Sequence, residues 1–537
     1  MAAIALRGVS YAYPGATHDV FNRIDITLDT RWRTGVVGRN GRGKTTLLRL
    51  LASQVQADAG DLTLPLAGRY FPEPPADAFA DVQCVVRNAA GPYDTIAQRM
   101  RELEGATDHD ALNRYGELAT EFDRLDGYTI DARIAAEFDA LSLHASLLIR
   151  PFASLSGGEQ TRALIAALFL RPDTFALIDE PTNHLDRDGR AKLGTYLRSK
   201  SGFLLASHDR QLLDDVVDHL LVFTREEIAV RRGGYSAWRV ERDDREQRES
   251  ADKTRLGREI NTLERASQQR RQGALSREAD KAPHTDKGFI GARAAKQMKR
   301  ALNIERRVNL HIGERRMQLR DFDKHRELRI VTSAVVGPLL RCTDVAISIA
   351  GRTLAQHLTF DISTGQRIAV TGANGCGKTT LLEVIAGLRA AAHGTIQRKS
   401  GLRVAFAAQQ PRWQDETLRA LAAREQLDET RLRQILGVLQ VPAADLERPL
   451  TTLSEGQLKK VELARTLVTP TKGTPTALLI WDEPLNYLDI ESREEIERAI
   501  LTDAPSLIFI EHDRRFVDTV ATHRLDLDQP RPLLQPL

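Results

Sequence analysis

Two short runs carry the residue types that hold phosphate groups: G-R-N-G-R-G-K-T-T-L-L at 38–48 and G-A-N-G-C-G-K-T-T-L-L at 372–382. Both match G-x-x-x-x-G-K-T. Its glycines let backbone N–H groups approach an anion, its lysine reaches the β- and γ-phosphates, and its threonine hydroxyl ligates Mg²⁺. Gly38, Asn40, Gly41, Gly43, Lys44, Thr45 and Thr46 thus form one candidate ATP-binding set, and Gly372, Asn374, Gly375, Gly377, Lys378, Thr379 and Thr380 a second. Paired carboxylates follow each run, in I-D-E-P at 178–181 and W-D-E-P at 481–484. Asp179 and Asp482 suit the Mg²⁺ shell beside Thr45 and Thr379, and Glu180 and Glu483 are placed to polarise an attacking water as general bases. His208 and His512 close further apolar runs, where they could meet the terminal phosphate. A surface D-E pair and a structural histidine are the bland alternatives. The apolar stretch before and the proline after each D-E weigh against the first, and recurrence of the histidine within the set weighs against the second.

Such residues need a strand before the loop and a helix after it. Gly35–Val37 and Arg367–Thr371 supply apolar strands, and Leu-rich stretches follow each lysine. Phe175–Asp179, Leu478–Asp482, Phe203–Ala206 and Leu507–Ile510 read as buried parallel strands. Two further motifs recur in order: L-S-G-G-E-Q at 155–160 with L-S-E-G-Q at 453–457, and S-H-D-R at 207–210 with E-H-D-R at 511–514. Four motifs repeated in one order make the chain a tandem duplication. The expected fold is α/β, with two P-loop nucleotide-binding domains, 1–235 and 330–537, in one chain and joined by a long helical-hairpin linker, 236–329.

The motif spacing differs between the halves. P-loop and signature lie 117 residues apart in the first and 81 in the second, and the excess of 36 falls within about 81–145. There R-E-L-E, Y-G-E-L-A-T-E-F-D-R-L and I-A-A-E-F-D-A-L read as charged amphipathic helices.

The linker holds 25 Lys and Arg against 16 Asp and Glu, a net of +9, in a chain that totals only +3. Charge concentrated in this way suits a nucleic-acid partner, and equally a solvated connector. Leu256, Ile260 and Leu263 form a narrow helical seam, and Ala294, Met298, Ala301 and Val308 mark a second helical run. Residues 273–290 between them carry Gly273, Pro283 and Gly288 and read as a tip loop. Arms of about 25–35 residues would project roughly 40–50 Å.

No apolar stretch approaches the ~18 residues of a membrane span. The three cysteines, Cys84, Cys342 and Cys376, form no C-x-x-C pair, which argues against a disulfide framework or a zinc site. With no long apolar run near the N-terminus, a cytoplasmic location is expected.

P-loop, L-S-G-G-E-Q signature, D-E-P and switch histidine, in this order and twice, resemble an ATP-binding cassette pair. The resemblance implies head-to-tail pairing, in which each ATP lies between one P-loop and the opposite signature. Gly38–Thr45 with Glu180 would then meet Ser454 and Gly456, and Gly372–Thr379 with Glu483 would meet Ser156 and Gly158. Three positions vary the pattern. The glutamine expected beside Mg²⁺ is Gln409 in the second half but Glu73 in the first. Tyr13 is placed to stack on adenine, whereas its counterpart is Ile349. Glu455 stands where the first signature has Gly157.

The helical insertion resembles the arm of ABC-F proteins, and D-K-G-F-I-G-A-R-A-A-K-Q-M-K-R at 286–300 resembles the linker of their antibiotic-resistance branch. That resemblance implies a monomeric, soluble ATPase using ATP and Mg²⁺. It would enter the tRNA exit site of the ribosome, meeting 23S rRNA and peptidyl-site tRNA, and dislodge drugs from the peptidyl-transferase centre. Lys281, His284, Lys287 and Phe289 would be the RNA-contacting tip, although Phe289 could equally pack the linker helices together. A housekeeping ABC-F translation factor is the alternative, and the ATP-binding subunit of a transporter a more remote one, since it leaves the basic hairpin unexplained.

Overall fold

Alternating apolar and polar residues in A-I-A-L-R-G-V-S-Y build β1 (Ala3–Tyr11), a strand buried on one face. β1 pairs antiparallel with β2 (Phe21–Asp29) on one side and, on the other, with a strand from later in the chain. The next run, R-T-G-V-V-G, is apolar without alternation and forms β3 (Arg33–Gly38), as suits a strand covered on both faces. α1 (Lys44–Leu51) follows, then β4 (Ala59–Thr63), the partner that completes the β1 sheet, and β5 (Ala67–Phe71).

Four helices come next: α2 (Val82–Ala90), α3 (Tyr93–Glu102), α4 (His109–Arg124) and α5 (Ile130–Ala140). α6 (Gly157–Leu168), β6 (Thr174–Asp179), α7 (Arg187–Ser199), β7 (Phe203–Ala206), α8 (Arg210–Val216), β8 (His219–Phe223) and β9 (Ile228–Arg232) complete the first half.

The second half repeats this plan. β10 (Pro338–Ile349), β11 (Arg352–Ser363), β12 (Arg367–Thr371), α9 (Lys378–Ala386), β13 (His393–Arg398) and β14 (Val404–Ala407) lead, among the described residues, to two α-helices, α10 (Leu418–Arg424) and α11 (Glu429–Val438), where the first half has four. α12 (Glu455–Leu467), β15 (Leu478–Asp482), α13 (Ile490–Asp503), β16 (Leu507–Ile510), α14 (Arg514–Val520), β17 (His523–Asp526) and β18 (Leu534–Pro536) follow.

The computed structural model describes residues 3–15, 19–105, 108–171, 173–183, 185–224, 227–245, scattered positions between 247 and 265, then 327–331, 336–410, 413, 415–468 and 478–537. The helical seam, the second helical run and the tip candidates Lys281, His284, Lys287 and Phe289 lie outside the described residues.

Two six-stranded sheets form, in the orders β5-β6-β7-β3-β8-β9 and β14-β15-β16-β12-β17-β18. All pairs are parallel except the last in each. In the second sheet Ile480, Ile508, Val370 and Leu525 pack toward α9 and the small antiparallel sheet β11-β10-β13. Leu479, Trp481, Leu507 and Phe509 pack into the opposite cluster, with residues of α10 to α14. Both faces are therefore dry, and the chemistry is left to the strand ends. The register puts Asp179 opposite Ala206, and Asp482 opposite Ile510, at the carboxyl ends beside the P-loop strands β3 and β12.

The chain divides into two compact units, 1–235 with 327–537 and 236–326. Leu328 and Arg329 bond to Glu495 and Asp503 of α13. The contacts described below all lie within the first unit.

Candidate active sites

The loop from β3 to α1 and the loop from β12 to α9 have the same backbone course. Gly38, Gly41 and Gly43 have φ of +152°, +79° and +91°, and Gly372, Gly375 and Gly377 have +145°, +79° and +104°. The last glycine of each loop is also confined by packing. A Cβ on Gly43 would lie 2.7 Å from the Phe21 ring, and one on Gly377 2.9 Å from Ile347. With both positions at positive φ as well, only glycine fits. Lys44 Nζ donates to the carbonyls of Gly38 (2.6 Å) and Arg39 (3.1 Å), and Lys378 Nζ to those of Gly372 (2.8 Å) and Ala373 (2.9 Å). Each ammonium is buried inside its own glycine loop.

Glu180 and Glu483 follow their strands with φ of +48° and +47°. Left-handed backbone costs a glutamate about 1 kcal/mol. It is held here because the Glu180 N–H donates to Ala206 O (2.8 Å) and the Glu483 N–H to Ile510 O (3.1 Å) on the neighbouring strand. The same strain at the same place in both halves marks a position set for its carboxylate.

His208 Nε2 lies 3.1 Å from Asn40 Oδ1 and 3.4 Å from Glu180 Oε1, and the His208 N–H donates to Glu180 Oε2 at 3.2 Å. His512 Nε2 stands 3.4 Å from Glu483 Oε1. Glycine loop, carboxylate and histidine are thus brought together in the first half, and carboxylate and histidine in the second.

Burial dominates the electrostatics. It lowers the pKa of Lys44 in spite of Glu180, Asp489 and Asp179 around it. Burial, then the Asp179 charge, pushes Glu180 up to about 8. Burial and the charges of Lys44 and Arg493 hold His208 well below its ordinary range, so its imidazole is neutral. Glu483 behaves oppositely. Burial opposes its ionisation, but His512, Gln409 and Asn486 overcome that and keep its pKa below the usual range. Gln409 Nε2 donates to Glu483 Oε2 at 2.9 Å, and Asn486 Nδ2 to the same oxygen at 2.5 Å.

The metal-side carboxylates also differ. Tyr70 Oη donates to Asp179 Oδ2 at 3.1 Å, and the Arg49 guanidinium lies 5.9 Å from the centre of the Tyr70 ring. In the second half Phe406 and Glu383 take the places of Tyr70 and Arg49. Asp482 is buried with neither carboxylate oxygen hydrogen-bonded, and burial pushes its pKa up to about 6. Two bare buried oxygens near the Thr379 hydroxyl fit a hard cation. No set of three His, Cys, Asp or Glu residues stands ready to hold a metal among the described residues. The ion's remaining ligands would therefore be phosphate oxygens and water. A bound magnesium ion would neutralise charge on those phosphate oxygens. Glu73 is exposed, with no hydrogen bond to the site among the described residues. Comparing Y-F-P-E with F-A-A-Q position by position points to Tyr70, a residue that motif matching misses.

Tyr13 Oη stands 3.0 Å from Thr46 Oγ1, and its ring lies edge-on to Tyr11 at 5.2 Å with 39% of its surface exposed. It borders the first turn of α1, and an exposed Ile349 holds the matching place in sequence.

Ser156 and Ser454 cap α6 and α12 through reciprocal bonds with Glu159 and Gln457. The second signature reaches the first glycine loop: a Cβ on Gly456 would lie 3.1 Å from Asn40 Nδ2 and 2.7 Å from Tyr487 O. Asn40 Nδ2 itself donates to Tyr487 O at 3.0 Å, and Arg39 pairs with Glu491. The first site is therefore composite, built by both halves. At the second, Ala373 N donates to Asp528 of its own half at 2.9 Å. Ser156 and Gly158 make no hydrogen bond to Gly372–Thr379 among the described residues.

Known proteins resemble this chain. The family described as ABC transporter matches residues 21–183 and 355–486, together more than half the chain. The putative ATP-binding protein YdiF of Bacillus subtilis is 27% identical over 527 residues, covering 95% of this chain and 77% of that protein. The energy-dependent translational throttle protein EttA of Mycobacterium tuberculosis is 29% identical over 516 residues, covering 92% and 86%. Among solved structures, a model of ribosome-bound archaeal Pelota and ABCE1 superposes with a TM-score of 0.55 at 19% identity, covering 97% of this chain and 76% of that one, a likeness of fold.

Proposed function

The chain belongs to the ABC transporter family and is an ATPase of that type, and from this premise we propose that it is an ABC-F protein acting on the ribosome during translation. One observation carries the reading. The relatives named above align along more than nine-tenths of the chain, so the likeness extends beyond the cassettes into the basic segment that joins them. One relative is named for energy-dependent control of translation. No helix among the described residues is long and apolar enough to cross a membrane.

In this reading Lys44 and Lys378 bind the β- and γ-phosphates, while Thr45 with Asp179 and Thr379 with Asp482 hold Mg²⁺. Glu180 and Glu483 draw the proton from the attacking water, and His208 and His512 orient the terminal phosphate. Ser454 with Gly456, and Ser156 with Gly158, close the two sites from the opposite half, and Tyr13 stacks on adenine at the first. The net charge of +9 on 236–329 suits an RNA surface.

A reconstituted translation reaction tests the proposal. The Glu180→Gln, Glu483→Gln double variant with ATP should stop synthesis at about one copy per ribosome, because binding without hydrolysis leaves it in place. Synthesis that continues at wild-type rates under saturating variant would refute the reading.

A second, narrower reading is antibiotic protection. It is favoured by the resistance-like sequence at 286–300, with Lys281, His284, Lys287 and Phe289 as contacts for RNA. Expression in a drug-sensitive bacterium should then raise resistance to lincomycin or tiamulin. Unchanged susceptibility leaves the housekeeping role.

A further inference from the structure

We infer that helix α13 of the second half holds the switch histidine of the first site in place. It also ties that site to both points where the chain passes into and out of segment 236–326. The inference rests on the reading that the first site binds ATP.

At its start, α13 reaches into the first site. Arg493 is buried, and its Nη1 donates to His208 O at 3.0 Å while its Nε donates to Leu488 O at 3.0 Å. The next residue, Glu494, accepts a hydrogen bond from Tyr235 Oη at 2.9 Å, and Tyr235 is the residue before segment 236–326. The same face meets Arg210, two residues after the histidine and only 2% exposed, whose Nη2 donates to Glu497 Oε2 at 2.8 Å. The returning chain is fastened to the same helix. Leu328 N donates to Glu495 Oε1 at 2.9 Å, and Ile330 N to Asp503 Oδ2 at 2.6 Å. One rigid helix therefore touches the first site, the departing chain and the returning chain.

The repeat makes the asymmetry decisive. Aligned on L-D at 185–186 and 488–489, α7 of the first half carries Ala191, Lys192 and Gly194 where α13 has Glu494, Glu495 and Glu497. No acidic face exists there to receive the second switch loop. Arg514, the counterpart of Arg210, is accordingly exposed and pairs with Asp518 of its own helix at 3.3 Å. Arg190, the counterpart of Arg493, pairs at 3.2 Å with Asp209 of its own half, as Arg493 does with Asp513 at 3.6 Å, but among the described residues only Arg493 also donates to the opposite switch loop. Arg493 acts through the histidine as a positioning residue. A change at the first site that moves His208 must strain or shift α13, and α13 carries Tyr235, Leu328 and Ile330 with it.

Hydrogen exchange on the full-length chain tests this, with ATP binding measured separately at each site. The Leu328 and Ile330 amides are direct reporters, because both donate to α13 carboxylates. ATP should slow exchange over 228–235 and 327–331 by roughly tenfold. Lys44→Ala should abolish that protection in both stretches, and Lys378→Ala should leave it. Tyr235→Phe removes one hydroxyl and spares the packing. It should lose the protection at 228–235 alone, with ATP binding unchanged, and Arg493→Lys should weaken it in both stretches. Protection that survives Lys44→Ala, disappears with Lys378→Ala, or is absent from the wild-type chain overturns the inference. Loss of ATP binding by the wild-type chain would instead sink the reading on which it rests.

Discussion

Glu180 and Glu483 stand at equivalent places with nearly the same backbone twist, yet their surroundings drive their charges apart. Glu180 is buried beside Asp179 and is raised to about 8, whereas Glu483 takes donors from His512, Gln409 and Asn486 and is held low. The raised value has a consequence for the nucleotide-free protein. A carboxyl whose folded pKa exceeds its unfolded value near 4.5 binds its proton more tightly when folded, so stability falls as pH rises between about 4.5 and 8. Thermal unfolding without nucleotide should show Glu180→Gln removing part of that slope, on the order of 2 kcal/mol across the window. Glu483→Gln should leave the slope in place. Glycine is equally exacting. Gly43→Ala brings a Cβ within 2.7 Å of the Phe21 ring at φ +91°, and should cost about 2–4 kcal/mol in urea unfolding and abolish ATP binding. Gly41→Ala meets nothing within 4 Å and should cost only the backbone strain, about 1 kcal/mol.

At the scale of elements, the sheet and its loops were legible because their signals are local. Apolar runs without alternation gave the parallel strands, and glycines at fixed offsets gave the turns that open α1 and α9. What stayed hidden depends on which element lies across from which. The buried pair Lys460–Asp489, at 2.9 Å, joins α12 to the N-cap of α13 beside the first site, but in sequence these are two unrelated charges 29 residues apart. Tyr70 was hidden for the same reason, since its hydroxyl meets Asp179 only through the pairing of β5 with β6. Lys460→Met strands a buried carboxylate and should lower stability by about 3–5 kcal/mol, read as a shifted denaturant midpoint at constant slope. Its counterpart Arg162 donates, among the described residues, to backbone carbonyls of Gly158 and Leu141, so Arg162→Met should cost closer to 1 kcal/mol.

For the whole molecule, duplication followed by divergence is the organising fact. Four motifs in repeated order make the tandem architecture readable from sequence alone. The inequality of the two sites was only partly readable: Glu73 and Ile349 hint at it, but the acidic face of α13 gains meaning only when Arg210 and Tyr235 are seen against it. The first site is composite and shares a helix with the residues that flank segment 236–326, while the bonds of the second glycine loop, among the described residues, come from its own half. An ATPase built this way is suited to convert nucleotide state into the placement of a charged segment, which is the work proposed for it on the ribosome. The most direct test is sedimentation of 70S ribosomes with the full-length Glu180→Gln, Glu483→Gln variant in ATP or in ADP. The account predicts near-stoichiometric retention in ATP, lost by at least about tenfold in ADP. Equal retention in the two nucleotides, or none in either, would contradict it.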